Sequence, residues 1–168
     1  MSVILFTGGM KSGKSKCAEE MALKYSPPRL YVATGVVTDK EMEERVKRHQ
    51  KRREGYFDTV EEPIKLSALL DRDYNLIMFD CLTFWYNNLF YYLEKENDRL
   101  LELEAFVNKL GNTKKDVILV TNEVGWGIIP ENALARKFID FAGMANQKIQ
   151  EVCDEVYLVL SGIDVRVK

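Results

Sequence analysis

The chain has 168 residues, 46% of them apolar and 30% charged, with a formal net charge of -2 and an isoelectric point near 5.6. That length and apolar content predict a single globular domain over 1–168 with a buried core, and the acidic balance excludes a general nucleic-acid binder, which needs a basic excess to neutralise phosphates. Cys17, Cys81 and Cys153 lie far apart with no C-x-x-C pair, which excludes a zinc ribbon or a disulfide framework and predicts a reducing compartment, the cytoplasm.

In chain order, "SVILFT" predicts a first strand; it is too short to span a membrane and has no basic region before it, so neither a membrane span nor a signal peptide is expected. Cys17, Met21 and Tyr25, at i, i+4 and i+8, predict a helix, and "RLYVAT" a second strand. "TDKE" has the capping-box pattern, Thr38 to Glu41, and predicts a helix of about a dozen residues from Asp39, with Met42, Val46 and His49 on one stripe. "NLIMFD" is the third strand, followed by a helix starting near Thr83 that holds "FWYNNLFYYL", too aromatic for one helix face and therefore either an interface or core. "LEKENDRLLELEAFVNKLGNTKKD" predicts a surface helix stopped by Gly111, with a loop at Asn112 and Thr113. "DVILVT" is the fourth strand. Leu134, Phe138 and Phe141/Ala142 mark another helix, "EVYLVL" is the fifth strand, and "SGIDVRVK" returns after a short Gly-containing turn to pair antiparallel at an edge. Nearly continuous apolar strands alternating with helices predict an α/β fold whose mostly parallel sheet is covered on both faces.

"GGMKSGKS" fits G-x-x-x-x-G-K-[ST], with a strand before it and a helix after it. Gly8, Gly9, Met10, Lys11, Ser12, Gly13, Lys14 and Ser15 are therefore the predicted phosphate cradle. Its glycines let backbone N–H groups face the phosphate oxygens at a helix N-terminus. Lys14 would place a charge on the β- and γ-phosphates, and the Ser15 hydroxyl would ligate Mg²⁺. The second metal ligand is expected at the carboxyl end of a neighbouring strand, where Asp80 ends "NLIMFD"; the alternative is that Asp80 only caps the following helix. Cys81 reads as a small buried residue rather than a nucleophile. "TNEVGWGIIPEN" reaches the same sheet edge, making Asn122 and Glu123 candidate contacts and Trp126 either an exposed lid or a core anchor.

His49 is the one histidine in the chain, set among Arg45, Lys47, Arg48, Lys51, Arg52 and Arg53. Neighbouring cations disfavour imidazolium, leaving a lone pair that can attack phosphorus, and the same cations would stabilise charge on a triphosphate. A bystander histidine on a solvated basic face accounts for the same residues.

"TGGMKSGKS", "YVATG", "DKEMEERVKRH", "TVE", "DCLT" followed by "NNL", "TNEVGWGIIPENALAR", "AGMANQ" and "DEVYLVLSGI" together resemble the bifunctional adenosylcobinamide kinase/adenosylcobinamide-phosphate guanylyltransferases, over essentially the whole chain. The resemblance implies a RecA-like P-loop NTPase fold with an antiparallel C-terminal edge strand. It further implies that His49 is the guanylylated nucleophile, and that nucleotide contacts fall on residues 8–15, on Ala33, Thr34 and Gly35, on Gln50, Lys51, Arg52 and Arg53, and on Glu61 and Asp80. Mg²⁺, GTP and ATP as co-substrates, adenosylcobinamide and its phosphate as acceptors, and a homotrimer follow from the same likeness. Glu54 and Phe57 stand where many relatives have proline and tryptophan, and Asp80 where some have glutamate. A monofunctional small-molecule kinase and a non-enzymatic nucleotide switch are the rival readings; in both, His49 is idle.

Overall fold

The structure, a computed structural model, describes residues 1–36, 40, 44, 51 and 53–168. Strands β1 (Val3–Thr7), β2 (Arg29–Ala33), β3 (Asp58–Glu61), β4 (Leu76–Asp80), β5 (Asp116–Val120), β6 (Glu155–Leu160) and β7 (Ile163–Arg166) form one sheet in the order β3-β2-β4-β5-β1-β6-β7. Helices α1 (Lys14–Ala22), α2 (Leu66–Leu69), α3 (Leu82–Tyr92), α4 (Glu96–Asn112) and α5 (Ala133–Val152) accompany them. Every strand pairing is parallel except β6 with β7.

The continuous apolar runs are explained by burial on both faces. Side chains alternate across a strand, so Leu5, Val32, Phe79 and Leu119 meet Trp85, Phe106, Phe141 and Ile149 of the three long helices α3, α4 and α5. Phe6, Tyr31, Met78 and Ile118 face the other way, onto Ala18 and Ala22 of α1. Each large apolar side chain buried in this way contributes about 1.5–3 kcal/mol. The strand β3 has no apolar run to mark it in the sequence, because its side chains are mostly exposed and Val60 is its one apolar residue; it is an edge strand, held by β2 alone.

The aromatic run of α3 divides between core and surface. Trp85, Tyr86 and Leu89 are fully buried, whereas Phe84, Tyr91 and Tyr92 are exposed. The Trp85 indole N–H donates to the Ile64 carbonyl at 2.9 Å, satisfying the polar atom that burial would otherwise strand. Arg99 stacks on Phe90 and donates to the Leu93 and Glu94 carbonyls just past the end of α3. The helix α4 carries Glu96 and Asp98 in its first turn and Lys109 in its last, matching its dipole. It runs to Asn112, one residue past the expected Gly111 stop, because Gly111 sits inside the last turn against Val152. In α5 the apolar stripe starts at Phe138, since Leu134 is exposed, and Tyr25 falls beyond the end of α1.

The expected hairpin closes the chain. Ser161 (φ 51°) and Gly162 (φ 85°) form its two-residue turn, with the positive dihedrals such tight turns require. Among the described residues, no helix is long and apolar enough to cross a membrane. Of the helix expected from Asp39, Met42, Val46 and His49 lie outside the described residues, as does Asp39 itself, while Lys40 and Glu44 are helical.

Candidate functional site

The cradle follows β1 directly and ends in the first turn of α1. Gly8 has φ 149°, and a Cβ there would lie 2.4 Å from the Val159 carbonyl oxygen of β6. Gly13 has φ 100°, and its Cβ would lie 3.1 Å from Gly162 Cα. Both positions therefore exclude a side chain, by dihedral and by neighbour. The Gly162 N–H donates to the Ser12 carbonyl at 2.7 Å, so the C-terminal hairpin turn buttresses the loop from behind.

Inside the loop the side chains are held ready for an anion. Lys14 is 6% exposed, and its Nζ donates to the Gly9 carbonyl at 2.7 Å. Burial lowers its pKa, opposed by the nearby Cys81, Asp80 and Glu123. Ser12 Oγ is buried and has no hydrogen-bond partner among the described residues; such an atom normally finds one, and a phosphate oxygen would supply it. These features fit a nucleotide polyphosphate. Ser15, half-buried in the first turn of α1, offers a hydroxyl.

Two carboxylates act electrostatically on the ammonium. Asp80 ends β4 with the parity of Leu76 and Met78, hence on the α1 side of the sheet. The helix after it is capped by Cys81 with no side-chain cap bond, so Asp80 is not spent as a helix cap. Its Oδ2 instead accepts from the Tyr31 hydroxyl at 2.6 Å. Burial, then the Asp80 charge, pushes the Tyr31 pKa well up, so the hydroxyl stays a donor. Glu123 accepts from Thr7 Oγ1 at 2.5 Å, while its N–H donates to the Gly8 carbonyl at 3.1 Å. A divalent cation in such a site takes a hydroxyl and a carboxylate from the protein and the remainder from phosphate and water; Ser15 and Asp80 fit that donor set, with Glu123 close by.

The other expected residues divide into three groups. Ala33, Thr34 and Gly35 stand at the carboxyl end of β2, but the Thr34 side chain is already bonded to the Cys81 carbonyl at 2.6 Å and its own carbonyl accepts from Asn88 at 2.7 Å. Thr34 could therefore meet a nucleotide only through groups other than its hydroxyl proton. Glu61 is exposed at the end of β3, and Lys51 is exposed as well. Arg53 is 4% exposed, its guanidinium carbon 3.4 Å from the Tyr31 ring centroid. His49, Gln50 and Arg52 lie outside the described residues. Asn122 braces the sheet edge, its backbone N–H donating to Thr83 Oγ1 at 2.8 Å and its amide to the same oxygen at 3.1 Å. Trp126 is 62% exposed and so is not a core anchor. Cys81 is buried, and its pKa is pushed up to about 12 by burial and by Asp80, which makes it a poor nucleophile.

Sequence reading overlooked Thr7, Tyr31, Thr83 and Asn88. Each makes its bond to a residue remote in the chain, so no local pattern marked it. For Tyr31 the available signal was a hydroxyl inside an otherwise apolar strand.

The model of the family described as cobinamide kinase / cobinamide phosphate guanyltransferase matches residues 4–167. The chain is 39% identical over 181 residues to the bifunctional adenosylcobalamin biosynthesis protein CobU of Salmonella typhimurium, covering 99% of each. It is 37% identical over 168 residues to the bifunctional adenosylcobalamin biosynthesis protein CobP of Pseudomonas aeruginosa, covering 98% of this chain and 96% of that one. Among solved structures, the flagellar accessory protein FlaH of Methanocaldococcus jannaschii superposes with a TM-score of 0.51 at 16% identity, over 98% of this chain and 75% of that one. A KaiC-like protein of Pyrococcus horikoshii does so with a TM-score of 0.51 at 16% identity, over 94% and 70%. At that identity the likeness is one of fold alone, a mostly parallel sheet flanked by helices.

Proposed function

The chain belongs to the cobinamide kinase / cobinamide phosphate guanyltransferase family, and from that premise we propose that it carries out two successive transfers on a corrinoid. In the first, the aminopropanol hydroxyl of adenosylcobinamide attacks the γ-phosphorus of an NTP; the bond to the β,γ-bridging oxygen breaks, NDP leaves and the hydroxyl proton is released. In the second, a nitrogen of His49 attacks the α-phosphorus of GTP and pyrophosphate leaves. The phosphate of adenosylcobinamide phosphate then attacks the guanylylated histidine, giving adenosylcobinamide-GDP and restoring the imidazole.

The observation that carries the reading is the cradle itself: a buried Lys14 bonded to the Gly9 carbonyl of its own loop, with a buried Ser12 hydroxyl that has no partner among the described residues. The protein's share of phosphoryl transfer is positioning and charge stabilisation. Lys14 would exchange its bond to the Gly9 carbonyl for the β- and γ-phosphate oxygens, and the loop amides would hold the rest. Mg²⁺, taken by Ser15 and Asp80, would supply neutralisation of the phosphate charge. Gln50, Lys51, Arg52 and Arg53 would contribute nucleotide contacts, as would Ala33, Thr34, Gly35 and Glu61 at the ends of β2 and β3. The expected setting is a homotrimer in the cytoplasm, each subunit a single nucleotide-binding unit.

The test is intact-protein mass after incubation with GTP and Mg²⁺, with ATP and His49→Ala as controls. The expected result is an acid-labile guanylyl adduct with GTP, absent in the variant, which keeps corrinoid phosphorylation. Phosphorylation without any adduct would reduce the protein to a monofunctional kinase.

A further inference from the structure

One side chain joins the predicted metal carboxylate to the end of the histidine-bearing segment. Tyr31 is the middle residue of β2, 3% exposed, and pairs in register with Met78. Asp80 lies two residues further along β4 on the same face, within reach of a long side chain on the neighbouring strand. The 2.6 Å bond from the Tyr31 hydroxyl is the one side-chain hydrogen bond to the Asp80 carboxylate among the described residues. The Tyr31 ring is gripped on its face by Arg53, at 3.4 Å, and approached edge-on by Phe57 at a centroid distance of 6.0 Å. Arg53 is nearly fully buried, and its Nε has no hydrogen-bond partner among the described residues. Packing alone would be met by phenylalanine at position 31, because the ring contacts do not use the oxygen. The hydroxyl has one visible task, which is to hold one oxygen of Asp80.

We propose that Tyr31 is a positioning residue for the nucleotide's divalent cation: its hydroxyl pins Asp80 by Oδ2 and leaves Oδ1 for the metal, while its ring is held in place by Arg53 and Phe57. This rests on the reading that Asp80 serves a metal–nucleotide complex. Without the hydroxyl the carboxylate is free to turn about its side-chain bonds, and the cation loses a preoriented ligand.

The experiment is calorimetric titration of the wild type, Tyr31→Phe, Asp80→Asn and the double variant with a non-hydrolysable ATP analogue, with and without Mg²⁺. No corrinoid and no histidine chemistry enters, so the readout is independent of turnover. The expected result is that Tyr31→Phe binds the metal-free analogue as the wild type does but loses about tenfold or more of the affinity that Mg²⁺ adds, the scale of one hydrogen bond to a charged group. In the Asp80→Asn background, Tyr31→Phe should cause no further loss. Phe57→Leu, which alters the packing on the ring and spares the hydroxyl, should keep the full Mg²⁺ gain. The proposal is overturned if Tyr31→Phe retains that gain, if it weakens binding equally with and without Mg²⁺, if Phe57→Leu loses as much, or if the wild type shows no Mg²⁺ gain at all. A wild type that shows the gain yet phosphorylates no corrinoid would defeat the proposed function and leave Tyr31 in its role.

Discussion

Lys14 is buried with its ammonium bonded to a carbonyl of its own loop and two carboxylates within electrostatic reach. Its burial outweighs the attraction of those carboxylates and lowers its pKa, so removing the charge takes little from the fold while depriving a bound polyphosphate of a close cation. Lys14→Met is expected to lower kinase turnover by about 10²-fold or more, on the scale of losing one preorganised charge-stabilising donor, with a melting temperature no lower than that of the wild type. Steady-state kinetics beside a thermal melt checks both. Ser12 Oγ illustrates the same logic from the other side: a buried hydroxyl with no partner among the described residues is a cost that a bound anion would remove.

At the scale of elements, the turns and caps hold the cradle's surroundings in place. The Asn132 side chain accepts from the Ala135 N–H at 3.0 Å at the start of α5, and at the far end Lys168 Nζ donates to the Gln150 carbonyl at 2.7 Å. Losing an N-terminal cap costs about 1 kcal/mol, which in a domain of this size is about 2–4 °C of melting temperature. Asn132→Ala should therefore lower the melting point by that amount and leave Mg²⁺–nucleotide affinity unchanged, because α5 packs onto the opposite face of the sheet from α1. The β6–β7 hairpin was legible from "SGID" as a turn, but its contact with Ser12 was not. That contact arises because β6 lies beside β1, which brings the turn to the back of the phosphate loop.

For the whole molecule, the thiols set a limit at high pH. Burial raises Cys153 from 9.0 to about 12 and, with Asp80, does the same for Cys81. Between those values the folded chain keeps thiol protons that the unfolded chain releases, so the stability they contribute is present below pH 9 and is lost as pH rises toward about 12. Lys14 acts with the opposite sign, since its pKa is lowered by burial and its penalty fades as pH rises. With two thiols and buried tyrosines such as Tyr31 and Tyr86 shifted upward, the net expectation is a falling urea midpoint above pH 9. Cys153→Ala should flatten part of that fall; denaturation curves from pH 7 to 11 measure it, and an unchanged slope would remove Cys153 from the account.

The sequence by itself determined the cradle and the alternation of strands and helices. Both are written in contiguous residues: glycines at fixed offsets after "SVILFT", and apolar runs whose period reports burial on two faces. Asp80 was legible for the same reason, as the polar residue that ends a buried strand. Tertiary structure alone decided which side chains serve it. Tyr31 reaches Asp80 across 49 residues of chain and Thr7 reaches Glu123 across 116. Both bonds depend on the strand order β3-β2-β4-β5-β1-β6-β7 and on its register. Order and register arise from packing between segments, so no single strand carries them. The strand β3, exposed and almost without apolar residues, is defined by its pairing with the edge of β2 and not by any pattern of its own.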